Sequence, residues 1–342
     1  MALRWRPMQA RDIPRCVDLI AAHPIIGPRY GRTIHHLQST WLSLLGSEAM
    51  KTDVYEEADG TEISMCGFGV GLFVSNAFIR EVKTLPLFWF GPELMKRITE
   101  GRSPALSDDE VREMNSGEGL NLIVWEASVF SGLEKRKDLF HFMVQAFLQL
   151  YRGFRMKEMI TTQVESVARL QWAVDAGGLY WDAKTKGYTK SLKIAAEKFI
   201  SEPHIVGVTR QLESERLGFW VGSLFDYRPP PFAFTRSEQR LLHAALSAES
   251  GTDLELSEVL DVSVSTIKKL WLSIYQRVTD RRPEALRVDV ATEMYARGKE
   301  KKRRLLAYVR EHPEELRPVS QKRLRQQCEA NNGDQSRASG SA

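Results

Sequence analysis

The sequence has little cysteine and no long apolar run, and each absence excludes a class of protein. Its three cysteines, Cys16, Cys66 and Cys328, are far apart, so they predict neither a disulfide framework nor a CxxC metal site. That usage favours a reducing, cytoplasmic environment. The longest apolar runs, such as 85–90, fall far short of the ~20 residues that a membrane-spanning helix needs. The N-terminus has no apolar signal-peptide core, and we expect a cytoplasmic protein outside the membrane.

The chain also lacks a strong charge of either sign. Its 342 residues include 48 basic and 44 acidic ones, a net charge of +4, so the placement of charge matters more than its total. The seven histidines show no metal-ligand spacing, and no Ser/His/Asp set can be assembled from sequence order. The length predicts two domains.

Residues 1–195 alternate strand and helix patterns, which predicts a mixed α/β domain. Strands are predicted at 3–6, 62–78, 120–129 and 156–163, with a hairpin at 179–192; helices are predicted after an Asp12 N-cap and at 33–45, 138–151 and 166–175. The glycines of 67–71 do not lie between a strand and a helix, as a dinucleotide-binding motif requires, and favour a bulge or kink instead.

Proline marks the end of this domain. Pro203 and the triplet at 229–231 continue neither a helix nor a central strand, so 196–232 is predicted to connect two domains, with short strands at 205–209 and 219–225. An all-α domain follows at 233–290. A basic helical extension over 291–342 ends in a polar segment, 329–342, of a composition typical of disorder. The predicted fold class is therefore an α/β domain followed by an all-α domain.

The helical domain has the spacing of a helix-turn-helix. Thr235 and Glu238 form a capping-box pattern before the first helix. A second helix is predicted at 254–260, Asp261 tolerates the left-handed backbone of a tight turn, and Ser263 caps a third helix at 264–278. One side of that helix is apolar, with Ile267, Leu270, Ile274 and Val278. Two short helices joined by such a turn place the second helix in the major groove of DNA.

The other side of the third helix carries the candidate DNA contacts. Ser265 and Thr266 can contact phosphate, Lys268 and Lys269 phosphate or guanine, and Arg277 adds positive charge at the far end. The alternative is an ordinary solvated face. The basic segment 297–306 has the same two interpretations, as an extension of the phosphate contacts or as a solvated or partner-binding helix.

Residues 234–278 resemble the LuxR-type helix-turn-helix, whose pattern is T-x-x-E-x-x-(V/L)-L followed by E-I-A-x-x-L-x-(I/V)-S-x-x-T-V-K. The matching residues are Thr235, Glu238, Leu241, Leu242, Glu255, Leu256, Leu260, Val262, Ser263, Thr266, Ile267 and Lys268. The resemblance implies a bacterial transcriptional regulator that binds double-stranded DNA as a homodimer, with Lys268, Lys269 and Leu272 facing the groove. Asp261, Ser257 and Trp271 depart from the pattern. Leu272 suits only contact with a thymine methyl group.

Residues 3–20 and 158–181 resemble the first strand and helix and a late strand–helix segment of GNAT-type N-acetyltransferases, over roughly 1–192. The resemblance implies an acetyl-CoA-binding fold. The family's R/Q-x-x-G-x-G/A loop is missing from 129–140. Lys135, Arg136 and Lys137, near a helix start, could attract an anion or could belong to an ordinary solvated loop. Trp172 stands where a tyrosine often serves as acid.

Glu126 is a candidate base or a packed strand residue. We expect a domain that senses, oligomerises or acts as a scaffold, a degenerate acyltransferase without enzymatic activity, joined to a DNA-binding domain. We expect no cofactor, with acetyl-CoA as the alternative. The alternative is an active acetyltransferase fused to a DNA-targeting module.

Overall fold

The computed structural model describes residues 2–130, 132–133, 135–163, 177–190, 202–214, 220–247, 251–281, 299–320 and 322–323. The chain divides into two compact units, Met1–Asp226 and Tyr227–Ala342. Each unit is considered by itself.

The N-terminal unit is built on one mixed sheet of eight strands. They are β1 (Ala2–Arg6), β2 (Met50–Asp59), β3 (Glu62–Val74), β4 (Leu120–Val129), β5 (Met156–Gln163), β6 (Leu179–Asp182), β7 (Gly187–Thr189) and β8 (His204–Thr209). Their order is β1-β2-β3-β4-β5-β8-β6-β7. Every neighbouring pair is antiparallel except β4 and β5, which run parallel and are joined through a helix, as a parallel connection requires.

The α-helices described in this unit are α1 (Ile13–Ala22), α2 (Gly27–Tyr30), α3 (Ile34–Leu44), α4 (Asn76–Val82), α5 (Phe90–Thr99), α6 (Asp108–Ser116), α7 (Lys137–Tyr151) and α8 (Arg210–Ser214). Trp41 of α3 packs edge-on against Phe68 of β3 and Trp125 of β4. Leu139 and Met143 of α7 pack in a separate cluster with Tyr55. Since successive strand residues point to opposite faces, helices cover both faces of the sheet.

The glycine run of β3 makes room for side chains from neighbouring elements. Gly67, Gly69 and Gly71 share one face of the strand. A Cβ at Gly69 would overlap the Asp53 carboxylate, and one at Gly71 would overlap the Tyr151 hydroxyl. The register also shifts near both ends of the run. In the pairing of β3 with β2 the shift lies between Tyr55 and Glu56 of β2, and in the pairing of β3 with β4 it lies between Val70 and Gly71 of β3. The predicted bulge is therefore confirmed.

Several elements differ from the sequence-based prediction. The strand predicted at 62–78 ends at Val74, because Ser75 accepts a hydrogen bond from the Phe78 amide (3.2 Å) and caps α4. Residues 220–225 form a 3₁₀ helix rather than a strand. Asp12 does not cap α1 through its side chain; its carboxylate accepts hydrogen bonds from Arg6 and from the Gln9 amide. The predicted helix at 166–175 and Trp172 lie outside the described residues.

The segment 196–232, predicted to connect two domains, holds a strand of the sheet. β8 hydrogen-bonds to β5 on one side and to β6 on the other, so residues up to Asp226 belong to the N-terminal unit. A strand in the middle of a sheet cannot be part of a linker, and the N-terminal unit extends beyond β8 to Asp226.

The C-terminal unit is helical, with α9 (Arg236–Ser247), α10 (Asp253–Leu260), α11 (Val264–Arg281), α12 (Lys299–Glu311) and a 3₁₀ turn at Pro313–Leu316. Its core contains Phe232, Phe234, Leu241, Leu242, Leu256, Ile267, Trp271, Ile274, Val278, Leu305, Leu306 and Val309. The predicted extension over 291–342 is therefore not separate from the helical domain, since α12 supplies part of that core. Of the predicted extension 291–342, residues 291–298 and the polar end 329–342 lie outside the described residues.

Candidate functional sites

The first candidate site lies where β4 and β5 separate. The parallel ladder ends at Val124 of β4 and Thr161 of β5, whereas the other edge of β5 pairs with β8 from Glu158 to Gln163. On its other edge β4 has a bulge at Trp125, because Val70 pairs with Glu126 and Gly71 with Val124. Bulges re-aim side chains next to sites of function. Glu126 follows this bulge directly.

Glu126 is a buried carboxylate with a phenol as its partner. The Tyr30 hydroxyl of α2 donates a hydrogen bond to Glu126 Oε1, and Trp125 Nε1–H donates to the same hydroxyl at 3.2 Å. Burial raises the pKa of Glu126 to about 7, although the bond from Tyr30 lowers it in part. Burial raises the pKa of Tyr30 well above its usual value, and the nearby Glu126 carboxylate raises it further. Near neutral pH Glu126 can therefore both take and return a proton.

The start of α5 lies directly over this pair. A Cβ at Gly91 would overlap the Tyr30 hydroxyl and Glu126 Oε1. The Arg29 guanidinium stacks on the Trp89 ring, 3.5 Å from its centroid, and so links α2 to the residues before α5. The sequence indicated Glu126 as a candidate base, but nothing in the sequence pointed to Tyr30 or Gly91, because their proximity to Glu126 arises only in the fold.

The loop from β4 to α7 contains the three predicted anion-binding cations. Lys135 and Lys137 are exposed, and Gly132 has a φ of +89° with open space where a side chain would be. Arg136, however, hydrogen-bonds to Glu57 and to Asp138. The hydrogen bond from Arg136 lowers the pKa of Asp138 to about 2, aided by backbone amides at the start of α7. The Arg136–Asp138 pair is partly exposed and contributes little to stability.

The second candidate site is the exposed face of α11 in the C-terminal unit. The Thr235–Glu238 capping box forms as predicted, with the Thr235 amide donating to Glu238 at 2.7 Å. Asp261 adopts the predicted left-handed conformation, φ 53° and ψ 50°. Ser263 Oγ accepts from the Thr266 amide at 3.2 Å and caps α11, so the three-residue turn between α10 and α11 is confirmed.

Four of the six predicted contact residues are exposed on α11: Ser265, Lys268, Lys269 and Leu272. Thr266 is half-buried. The hydroxyls of Ser265 and Thr266 are hydrogen-bonded to Ser263 Oγ, at 2.8 and 2.9 Å. They remain able to bond phosphate, because a hydroxyl has one donor and two acceptor positions.

Arg277, the sixth predicted residue, has an intramolecular partner. Its Nε lies 3.1 Å from the carboxylate of buried Glu238, which also accepts from Ser273 Oγ at 2.7 Å. Burial alone would raise the pKa of Glu238, but the bonds from Thr235 and Ser273 lower it below its usual value. Arg277 therefore stabilises the contact between α9 and α11. Its side chain is only partly exposed, so it is only partly available to contact a DNA phosphate.

Three cations of the basic segment 297–306 have partners within the chain. Lys302 donates to the Gly251 carbonyl at 2.9 Å and lies over the Trp271 ring. Arg303 and Arg304 both pair with Glu300. The bulk of Trp271, a departure from the helix-turn-helix pattern, is thus accommodated by α12.

Other chemistry is not indicated within the described ranges. No group of three or more His, Cys, Asp or Glu side chains there could hold a metal ion. Burial raises the pKa of the Cys16 thiol to about 12 and that of Cys66 to about 11, so neither is a ready nucleophile. Of the helices described, none combines the length and apolar character needed to span a bilayer.

Comparison with solved structures finds acetyltransferases. A chimera of the spermidine N-acetyltransferase SpeG from Vibrio cholerae and hSSAT is 8% identical, covering 63% of this chain and 100% of its own, with a TM-score of 0.37. The aminoglycoside acetyltransferase AAC(6')-Ib in complex with coenzyme A is 13% identical, covering 64% and 100%, with a TM-score of 0.35.

These likenesses are too low to carry an argument about activity. No family model matches the chain, so the LuxR-type resemblance has no support from that comparison, and no curated protein matches either.

Proposed function

We propose that the N-terminal unit is an N-acyltransferase domain that uses acetyl-CoA or a related acyl-CoA and an amine. The observation that carries the proposal is the position of Glu126, a buried carboxylate directly after the point where β4 and β5 separate. β4, α7 and β5 lie within residues 1–192, over which the acetyltransferase resemblance extends. This replaces the expectation of a unit without enzymatic activity.

In this proposal Glu126 accepts the proton that an acceptor ammonium must lose before its nitrogen can attack. A pKa of about 7 suits that role at neutral pH. Tyr30 holds the carboxylate in position and stabilises its charged form by donating a hydrogen bond. Lys135 and Lys137 would hold the phosphates of the acyl-CoA, which when bound supplies the acyl group as a thioester.

The test separates binding from transfer in the full-length protein. Acetyl-CoA binding is measured by calorimetry, and thiol release is measured with a panel of primary amines that includes spermidine and kanamycin. We expect Glu126→Gln to lower thiol release about 10²-fold or more, with acetyl-CoA affinity unchanged. The surface variant Glu118→Gln serves as control. Absence of acetyl-CoA binding at millimolar concentration contradicts the proposal.

We further propose that the C-terminal unit binds double-stranded DNA through α11. The specific observation is that the capped turn at Asp261–Ser263 leaves Lys268 and Lys269 exposed next to a helix N-terminus, where backbone N–H groups favour an anion. This supports a transcriptional regulator or a DNA-targeted acyltransferase. Such modules commonly act as dimers on paired half-sites, so a homodimer is part of the proposal.

Charge reversal tests DNA binding. The double variant Lys268→Glu, Lys269→Glu should lower duplex affinity at least 10-fold and reduce the slope of log affinity against log salt concentration by about 2. The matched control is Lys184→Glu, Lys190→Glu, which changes the net charge equally at exposed positions of the N-terminal unit. Equal affinity of the two double variants for duplex would refute the assignment of DNA binding to α11. Sedimentation of the protein–DNA complex tests whether the protein binds as a dimer.

A further inference from the structure

Leu272 is an exposed leucine on a face that is otherwise polar and basic. Its side chain is 71% exposed, the largest value among the exposed large hydrophobic residues described. It lies one helical turn after Lys268 and Lys269, and with Ser265 these residues occupy an arc of about 100° around α11. The buried residues Ile267, Trp271, Ile274 and Val278 lie on the opposite side of the helix.

A single exposed leucine is common on protein surfaces and by itself indicates nothing. Two further observations indicate what kind of molecule Leu272 contacts. The cationic neighbours make the face complementary to a polyanion. The position lies about two turns after the capped helix start, in the half of α11 nearer the end that reaches base edges. In the major groove of DNA the thymine 5-methyl is the apolar group that is available for contact.

We infer that Leu272 is a specificity residue that packs against the 5-methyl group of a thymine. The inference rests on the proposed DNA binding by α11. The thymine lies within a few base pairs of the phosphate or guanine contacted by Lys268 or Lys269, because one helical turn advances the side chain by about 5.4 Å. Lys268 and Lys269 would provide most of the affinity, and Leu272 would distinguish T·A from the other base pairs.

The experiment begins with selection of bound duplexes from a random library by the full-length protein. In the selected duplex each thymine is then replaced singly by deoxyuracil, which removes only the methyl group. At one thymine we expect about a four-fold loss of affinity, the value for one buried methyl. Leu272→Ala should lose a similar factor on the original duplex and no longer distinguish thymine from deoxyuracil there. Leu272→Met should retain the distinction.

The control is Leu42→Ala, which truncates an exposed leucine of the N-terminal unit and should behave as the unaltered protein. Enrichment of no duplex overturns the DNA-binding proposal together with this one. A selected duplex whose affinity depends on Lys268 and Lys269 but is insensitive to deoxyuracil at every position overturns only the role of Leu272. If Leu272→Ala still distinguishes thymine from deoxyuracil, the role of Leu272 is likewise overturned.

Discussion

Asp138 places a carboxylate of the chain itself at the start of α7, where a bound phosphate group would lie. It stands in the first turn of the helix and pairs with Arg136, and backbone amides there help to lower its pKa. Helix N-termini attract anions through the same amides. In the proposed acyltransferase this carboxylate would therefore oppose the binding of an acyl-CoA.

Asp138→Asn should increase affinity for acetyl-CoA. The change removes a negative charge from the helix start and releases Arg136 from one of its two carboxylates, so we expect binding about 3- to 10-fold tighter at low salt. Calorimetric titration measures it. Asp109→Asn, which alters an exposed aspartate in the first turn of α6, is the matched control and should leave affinity unchanged. Unchanged or weaker binding by Asp138→Asn would contradict phosphate binding at this loop.

Residue-level prediction from the sequence succeeded where the cause was local. The left-handed Asp261, the Ser263 cap and the Thr235–Glu238 box all depend on residues within three positions of each other. Glu126 was identified as a candidate base because it lies within the predicted strand 120–129. Its partner Tyr30 is 96 positions away, and the partner of Arg277 is 39 positions away. Such pairs depend on tertiary structure, which a single sequence does not specify residue by residue.

At the scale of elements, Lys83 at the end of α4 links that helix to β5 and β7 of the sheet. Its ammonium pairs with Glu158 of β5, which also accepts from the Tyr188 hydroxyl of β7. The ammonium lies over the rings of Trp181 and Tyr188, 4.8 and 5.1 Å from their centroids. The pair is largely buried, with side-chain exposures of 15% and 8%, so loss of one partner leaves an uncompensated charge.

Lys83→Met should destabilise the N-terminal unit by roughly 3 kcal/mol, because Glu158 then stays buried without its cation. Adding Glu158→Gln should restore part of that loss, since the buried charge is gone. Urea denaturation followed by tryptophan fluorescence measures both, and Lys96→Met, an exposed lysine of α5, should change stability little. If the double variant is less stable than Lys83→Met alone, the interpretation of a coupled buried pair is wrong.

Glu315 ties the end of the C-terminal unit to its beginning. Both carboxylate oxygens lie 3.1 Å from the Phe232 amide, and burial raises the pKa of Glu315 to about 8. Because this pKa is higher in the folded state than in the unfolded state, the protonated form is favoured on folding. The stability of the unit should therefore fall as pH rises from about 4.5 to about 8.

Glu315→Gln should remove much of that pH dependence. Glutamine keeps an acceptor for the Phe232 amide and has no charge to bury, so the variant should unfold at a higher temperature than the unaltered protein at pH 8 and at a similar one at pH 4. Calorimetric unfolding across this range is the measurement. A parallel pH dependence in both proteins would show that Glu315 is not the titrating group.

Elements were predicted well where apolar residues dominate. The bounds of β4 and β5 agree with the prediction, and α7 begins one residue early. β2 was missed because it buries Thr52, Asp53 and Glu56, so its sequence lacks an apolar pattern. The apolar run at 219–225 was assigned to a strand, since periodicity alone does not separate a short buried strand from a helical turn.

At the scale of the whole molecule, the boundary after Asp226 has a direct test. A fragment of residues 1–226 should unfold cooperatively, whereas a fragment of 1–195 lacks β8 and should not, because β5 and β6 lose the strand between them. Thermal unfolding followed by circular dichroism distinguishes the two. A cooperative transition in the shorter fragment would show that β8 is dispensable.

The late position of β8 in the chain also affects synthesis. While the ribosome adds the residues after Gln163, the edge of β5 that β8 will occupy has no partner, and the segment between them includes the β6–β7 hairpin. An unpaired edge is a template for association with another chain. The nascent protein therefore passes through an interval, ending only after residue 209 has emerged, in which chaperone binding to that edge would protect it from aggregation.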